Sequence, residues 1–413
     1  MSDRARYYLE KCVPELQDLE RKKLFDKKEI TMIMRRWTDF EHRITSRGSK
    51  PMDYLNYAQY EKNLEKLRKL RVKRFRSIAD SKPSISDYSA SKRIFFIFER
   101  GVRKFPKSME LWAAYLKYAK KNGSIKVVYK VYTKLLQLQP RNVNVWLSAA
   151  KYEYESNRNV KSARNLFKRC LRFNGDEMLP WLEFIKFEMN YLSKLLVRRK
   201  LFSLLTERQQ VQDLKENENE NETGKDGLAQ GDDVITFTAD NEITDELNNL
   251  PDMNASTLGS IEDNPVLRGD LILTLYDVCV ASFTKRSEDK FDKTWQISKK
   301  VMELVDRFEG LDRSYLCSHI ARELMDKYPY NEQVVLLDLT LPLRYVGMED
   351  EEFVSTLQNS VRLYQSWTAR SKADDEVKKE VKREYLTLLR ERYLTKAEGD
   401  SKELLGMLVK KLE

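Results

Sequence analysis

The chain has 413 residues, of which 41% are hydrophobic and 34% charged, so it can bury a sizeable core in more than one module. Glycine (13 residues) and proline (10 residues) are scarce, which favours helices over sheets. The net charge of +10 permits acidic partners but is weak evidence for nucleic acid, since a solvated basic face gives the same balance. The four cysteines are scattered, with no close pair, so they indicate neither a disulfide framework nor a zinc site and suit a reducing compartment: Cys12, Cys170, Cys279 and Cys317.

Residues 1–50 predict two N-terminal helices. The first runs from Arg6 to Leu24 with a kink or break near Pro14, and the second from Lys28 to Thr45, before Gly48. The first residues lack the apolar core of a signal peptide, and no apolar run approaches the roughly 18 residues of a membrane span. We therefore expect a soluble intracellular protein without a membrane anchor.

Residues 51–205 carry a repeated pattern. Trp112 and Trp146 are 34 residues apart, and Trp146 and Trp181 are 35 apart. Each Trp begins the same pattern of apolar residues, which we call the lattice, and Tyr54 begins another copy of it. Aromatic and small residues follow each Trp on a wide apolar arc, and a second helical signature of the type Phe167-Lys-Arg lies between successive copies. A period in the mid-thirties with two helices per unit predicts an all-α solenoid. The predicted repeat core consists of Tyr54, Tyr57, Tyr60, Trp112, Tyr118, Trp146, Tyr152, Trp181, Phe187 and Phe167.

Two further features of this region carry charge. Glu153 is the last residue of its lattice copy and is expected to face the packed side of the helix. Arg164 on the next helix is its candidate partner in a structural ion pair, and the alternative is that Glu153 is exposed. The helix from Pro51 ends in the most basic run of the chain, before a connector from Ser77 to Ser91 and a helix from Lys92 to Phe105. This run could contact an RNA backbone or an acidic partner, or be solvated, and its candidate residues are Lys62, Lys66, Lys69, Lys73, Arg74 and Arg76.

Residues 206–265 contain 16 acidic and 3 basic residues and predict an acidic disordered linker. Order resumes in a C-terminal helical domain of degenerate repeats, 266–413. The apolar helix from Leu267 to Phe283 is predicted to pack on the long helix that begins at Trp181. Further helices are predicted at 293–308, 312–328, 331–346, 350–368, 373–397 and 401–412.

No catalytic constellation is recognisable in the sequence. The histidines His42 and His319 lie in separate helical segments, no Gly-rich phosphate loop follows a strand, and the acidic run lacks the order of a calcium loop. We therefore expect a protein that is not an enzyme and has no cofactor, metal or small-molecule substrate.

The repeat resembles the half-a-TPR (HAT) repeat, whose matching residues here are Trp146, Tyr152, Glu153, Ala163, Arg164 and Phe167. Ala119 departs from that pattern where it calls for Glu. The stretches Arg36 to Gly48, Tyr54 to Arg71 and Asn264 to Leu271 resemble the U3 small nucleolar RNA-associated protein 6 family.

That resemblance implies a nucleolar scaffold of the small-subunit processome, within the UtpB subcomplex, which also holds WD-repeat propeller proteins. Such a scaffold acts in pre-rRNA processing and 18S rRNA maturation in ribosome biogenesis. It would bind protein partners through its HAT solenoid and reach U3 snoRNA and pre-rRNA through the assembly. Two alternatives stay open: direct RNA binding through the basic helix at 62–76, and a HAT scaffold of a splicing or 3′-end processing complex.

Overall fold

The computed structural model describes residues 2–74, 84–201, 264–285, 288–346, 353–370 and 375–390, and every regular element within these ranges is a helix. In chain order they are α1 Ser2–Glu10, α2 Val13–Arg21, α3 Lys27–Thr45, α4 Pro51–Arg74, α5 Ile85–Lys104, α6 Met109–Lys121, α7 Ile125–Leu138, α8 Val143–Glu155, α9 Val160–Phe173, α10 Leu179–Leu201, α11 Pro265–Arg268, α12 Asp270–Thr284, α13 Lys290–Asp306, α14 Arg313–Lys327, α15 Glu332–Thr340, α16 Phe353–Arg370 and α17 Asp375–Leu388. Among these helices, none combines the length and apolar character needed to cross a bilayer.

The N-terminal helices end and begin at residues that the sequence marks. The break predicted near Pro14 separates α1 from α2, with the proline in the first turn of α2, where its missing N–H costs no hydrogen bond. Helix α3 begins with a capping box, in which the Asp26 amide donates to the Glu29 carboxylate at 3.1 Å.

Helix α5 is longer than the sequence predicted. The connector was expected to extend to Ser91, but the helix begins at Ile85. A second capping box explains the earlier start, since the Ser84 amide donates to Asp87 at 2.8 Å and satisfies a helix-end donor. The preceding residues 75–83 lie outside the described ranges.

The described residues divide into two compact units, and the first ends at Asn157. Within it, each helix from α3 to α7 packs against the next along the chain. Helix pairs α4/α5 and α6/α7 form hairpins, and α8 follows as the first helix of another repeat. The core of this unit is built from the apolar residues of the repeat lattice, which is what the period of 34 to 35 residues predicts.

The second unit begins at Arg158 and is helical throughout its described part. Its main core joins Ile185, Met189 and Leu192 of α10 to Ile272 and Tyr276 of α12, so the predicted packing of these two helices is confirmed. The predicted helix from Leu267 is divided into α11 and α12. Gly269 lies between them with a φ of +100°, a left-handed conformation that L side chains rarely adopt.

Helices α13 to α17 follow the predicted segments, although α13 begins three residues earlier than predicted and α16 ends two residues later. Helix α15 ends at Thr340, whereas a helix to 346 was predicted, and residues 341–345 form turns. A separate core under α15, α16 and α17 contains Leu339, Phe353 and Tyr385. The predicted helix at 401–412 and the acidic linker, except for residues 264 and 265, lie outside the described ranges.

Candidate functional site

Each lattice tryptophan is buried and fixes the connection that precedes its own helix. The indole N–H of Trp112 donates to the carbonyl of Pro106 at 3.0 Å, and that of Trp146 to Pro140 at 2.9 Å. Trp181 repeats the arrangement toward the carbonyl of Gly175 at 3.4 Å. In all three repeats the acceptor lies six residues before the Trp. These rings therefore satisfy backbone carbonyls in the interior and are not exposed for a ligand.

The remaining lattice aromatics pack on the second helix of each hairpin. Phe98 of α5 stacks on Tyr115 with ring centroids 5.4 Å apart and contacts Tyr118 at 6.2 Å. Phe167 of α9 makes the same kind of contact with Phe187 of α10 at 5.2 Å. Of the predicted core residues, Tyr60 is half-buried and lies against Phe40, and the others are buried: Tyr54, Tyr57, Trp112, Tyr118, Trp146, Tyr152, Phe167, Trp181 and Phe187.

The lattice glutamates Glu153 and Glu188 each accept hydrogen bonds from a residue at the same distance earlier in the chain. Arg164 binds Glu188 through two parallel bonds of 2.7 Å, from Nε to Oε1 and from Nη2 to Oε2. Glu153 accepts a hydrogen bond from the Tyr129 hydroxyl at 3.4 Å. In both cases the donor lies 24 residues before the carboxylate, on the preceding second helix.

The prediction that Arg164 pairs with Glu153 was therefore wrong, because Arg164 pairs with Glu188 instead. The sequence placed Arg164 with the glutamate that precedes it, whereas Glu153 and Glu188 are each met by a donor from the second helix before them. Burial opposes the charged guanidinium, but the bonds and charge of Glu188 raise the pKa of Arg164. Arg164 and Glu188 form a bidentate, largely desolvated pair, the geometry in which an arginine–carboxylate contact is strongest.

The same register explains the repeat that departs from the HAT pattern. Where Ala119 replaces the glutamate, the residue 24 positions earlier is Phe95, and its ring packs against Tyr118 at 5.1 Å. Both the acceptor and its donor are thus replaced by apolar groups in this repeat. Such a paired replacement leaves no polar group buried without a partner.

A buried ionic network in the first unit was not predicted. Arg93 of α5 donates to Glu61 of α4 at 3.0 Å and to Glu15 of α2 at 2.8 Å, with its guanidinium 4.0 Å from the Trp37 ring. Burial raises the pKa of Glu61. The signal was available in the sequence, because Glu61 stands seven residues after Tyr54, as Glu153 does after Trp146.

The cations of the candidate basic helix fall into two groups. In the first group they are neutralised: Lys69 lies 2.9 Å from Glu65, Arg68 lies 2.6 Å from Asp87, and Arg71 binds Glu29 through two 2.7 Å bonds. In the second group, Lys62 and Lys66 have no carboxylate within ion-pair distance among the described residues.

Further along the same helix, Lys73 and Arg74 are exposed. Arg76 lies outside the described ranges. The structure thus separates the predicted set into Lys69, which has an acidic partner within the chain, and cations that remain available to a ligand.

One group of side chains has the composition of a metal site. Ligand atoms of Asp277, His319 and Glu323 lie within 4.8 Å of one another on α12 and α14. Each is already engaged, because His319 contacts Asp277 at 3.3 Å and Glu323 binds Lys327 at 2.6 Å. Within the described residues, no nucleophile in hydrogen-bond contact with a base accompanies this group, so it does not form a catalytic constellation.

The architecture and the comparisons with known proteins agree. Residues 89–212 match the family model described as PRP39 N-terminal HAT repeat. Together with the Trp lattice and the helical hairpins, this match defines the class: an all-α solenoid of HAT repeats with an additional C-terminal helical region.

The N-terminal half is similar to a more specific family. Residues 9–93 match the model of U3 small nucleolar RNA-associated protein 6. The protein of that name from Schizosaccharomyces pombe is 36% identical over 203 residues, which cover 49% of this chain and 41% of the relative. The homologs of that protein from Mus musculus and Homo sapiens are 32% and 31% identical over 195 residues, 47% of this chain and 32% of each relative. Over this region the chain is similar to the U3 small nucleolar RNA-associated protein 6 family, and the matches span less than half of the length of these relatives.

Proposed function

We propose that the chain is a non-catalytic scaffold of the small-subunit processome, acting in pre-rRNA processing and 18S rRNA maturation in the nucleolus. The names of its relatives support an association with U3 small nucleolar RNA. Within that particle, its HAT solenoid binds protein partners, for which we propose the WD-repeat propeller subunits of UtpB. The RNA of the particle is then reached largely through these proteins.

The observation that supports this proposal is that the aromatic and charged side chains of the lattice contact one another in the interior. The tryptophans, aromatic pairs and arginine–glutamate contacts satisfy one another in the interior. They hold the helices in place and leave the outer helix faces as the parts that can meet other molecules. A repeat protein of this kind offers extended surfaces rather than a reaction site.

The test is affinity purification of the tagged full-length native protein, followed by identification of co-purifying RNA and proteins. Ribonuclease treatment before elution separates the two modes of attachment. A protein scaffold keeps its WD-repeat partners after the RNA is digested, whereas a protein tethered by RNA loses them. Absence of U3 snoRNA and pre-rRNA from the untreated sample would contradict the proposal.

A splicing or 3′-end processing scaffold is the second candidate, supported by the match to the PRP39 N-terminal HAT repeat. The same purification distinguishes it, because spliceosomal RNA or messenger RNA precursors would then take the place of U3 snoRNA. Direct RNA binding by the basic helix, the third candidate, is compatible with either assembly. It depends on the cations that the fold leaves without acidic partners.

A further inference from the structure

Two lysine pairs lie on neighbouring helices of the first unit. Lys62 and Lys66 are one helical turn apart on α4, and Lys117 and Lys121 are one turn apart on α6, which packs against α4. The i,i+4 spacing places both members of each pair on one face of their helix. Lys117 and Lys121 were not among the cations singled out from the sequence. We call these four residues the lysine cluster.

The lysine cluster differs from its surroundings in having no acidic partner. Within the described part of the chain, no carboxylate lies within ion-pair distance of any of its four ammonium groups. The neighbouring carboxylate of Glu65 is buried and is occupied by Lys69 at 2.9 Å, the Ser91 hydroxyl at 3.2 Å and the Tyr118 hydroxyl at 3.2 Å. Positive charge thus accumulates at one place, where Lys62 is half-buried and Lys66, Lys117 and Lys121 are exposed.

Lys62 lies over two aromatic rings and interacts with the charges of the other three lysines of the cluster. Its ammonium nitrogen lies 5.1 Å from the centroid of the Phe98 ring and 5.2 Å from that of Tyr118, so its position is fixed by packing. Burial, together with the charges of Lys117, Lys121 and Lys66, lowers the pKa of Lys62. Like charges at this spacing destabilise the free protein, and a bound polyanion relieves that repulsion.

We propose that the lysine cluster binds the phosphodiester backbone of single-stranded RNA. This inference rests on the proposed function, because it takes the ligand from the RNA of the proposed assembly. Lysine ammonium groups are point charges that suit a flexible row of phosphates and carry no base readout. The rings beside them, Phe98 and Tyr118, are buried and offer no stacking platform, so binding is independent of sequence.

An acidic peptide is the competing ligand, and the surroundings of the cluster favour RNA over it. Peptide recognition normally buries apolar anchors in pockets. Leu116 and Tyr118, on either side of Lys117, are buried in the lattice and are not available as such a pocket. Around Lys117 the face therefore offers charge rather than an apolar pocket, which matches a ligand with one charge per repeat unit.

The experiment measures binding of the full chain to a fluorescently labelled oligouridine as a function of salt. The test variant is K62Q/K66Q/K117Q/K121Q. The matched control is K28Q/K50Q/K107Q/K126Q, which removes the same net charge from four exposed lysines on separate segments. Neutralising four phosphates of a single strand contributes about 3 to the slope of log Kobs against log salt, or roughly fifty-fold in affinity between 0.05 and 0.2 M salt.

We expect the test variant to lose about this slope and the control to keep it. The half-variants K62Q/K66Q and K117Q/K121Q should each lose about half, which protects the test against misfolding of the quadruple variant. Far-UV circular dichroism is expected to be unchanged, since Gln and Lys have similar helix propensities.

Three results would overturn the inference. They are an equal loss of slope in the control, absence of oligouridine binding by the unmodified chain at low salt, and preferential binding of polyglutamate. The proposed scaffold function is judged separately, by retention of protein partners after ribonuclease treatment. A failed RNA test with retained partners would refute the lysine cluster alone.

Discussion

Trp146 shows how a single side chain stabilises a repeat. Its ring is buried and its N–H is bonded to the Pro140 carbonyl, so removal creates a cavity and also frees an acceptor. We expect Trp146→Ala to lower the free energy of unfolding by roughly 3–5 kcal/mol, measured by urea titration. Leu138→Ala, at an exposed position of α7, is the control and should change stability by no more than about 0.5 kcal/mol. A fully stable Trp146→Ala protein would show that the lattice residues do not stabilise the unit.

The bidentate contact between Arg164 and Glu188 makes a second residue-level prediction. Arg164→Met leaves the buried Glu188 carboxylate without its donor and should cost about 3 kcal/mol. The double variant Arg164→Met/Glu188→Leu should recover much of that loss, because both partners are then apolar, as Phe95 and Ala119 are in the other repeat. A double-mutant cycle measures the coupling. Arg383→Met, at an exposed surface pair, is expected to be neutral.

Glu29 links stability to pH. Hydrogen bonds from Arg71 lower the pKa of Glu29 from its ordinary value of 4.5 to about 2. Because the folded-state pKa is depressed, the contribution of Glu29 is fully present above pH 4.5 and is lost as the pH falls toward 2. The difference in unfolding free energy between the native chain and Glu29→Gln should therefore shrink over this window. Glu303→Gln, at an exposed position of α13, is the matched control substitution.

At the scale of elements, helices α4 and α5 approach closely because one position has no side chain. A Cβ added at Gly101 would lie 3.0 Å from Cδ1 and 3.4 Å from Cβ of Tyr54, the lattice residue of α4. The Tyr54 Cβ belongs to the rigid part of the helix and cannot move far. The absence of a side chain at Gly101 thus sets the separation of the first hairpin.

Gly101→Ala tests this packing. Overpacking costs roughly 1–3 kcal/mol, which we expect to exceed the gain of about 1 kcal/mol in helix propensity. The control is Gly48→Ala, where an added Cβ meets nothing within 4 Å, and it should be neutral or slightly stabilising. Equal stability changes in thermal unfolding would mean that α4 and α5 can separate without cost.

At the scale of the whole molecule, all four cysteines are free thiols, of which Cys12 is half-buried and the other three are buried. Burial raises the pKa of Cys170 to about 11 and that of Cys279 to about 12, and the pKa of Cys12 and of Cys317 is also raised. The native chain should therefore react slowly with Ellman's reagent at neutral pH, and all four thiols should react only after unfolding. Rapid labelling of the native protein would contradict this.

Sequence periodicity predicted the helical class, the hairpin repeat and nearly every described helix. It did so because burying one face of a helix imposes a period that is visible in the residues themselves. The start of α5 was missed because a capping box at Ser84 and Asp87 outweighed the serine-rich composition of the connector. The division at Gly269 was missed because a single glycine inside an apolar run does not reveal its φ.

The sequence alone determined which residues form the interior of this protein: the tryptophans, their aromatic neighbours and the small residues between them. Only the tertiary structure decided the partners of its charges. It placed Arg164 against Glu188 and separated Lys69, which is neutralised by Glu65, from Lys62, which lies beside Lys117 and Lys121. Apolar burial follows a face of a helix and so repeats along the chain. An ion pair depends on a distance of about 3 Å between side-chain atoms of two different helices, which no period in one helix encodes.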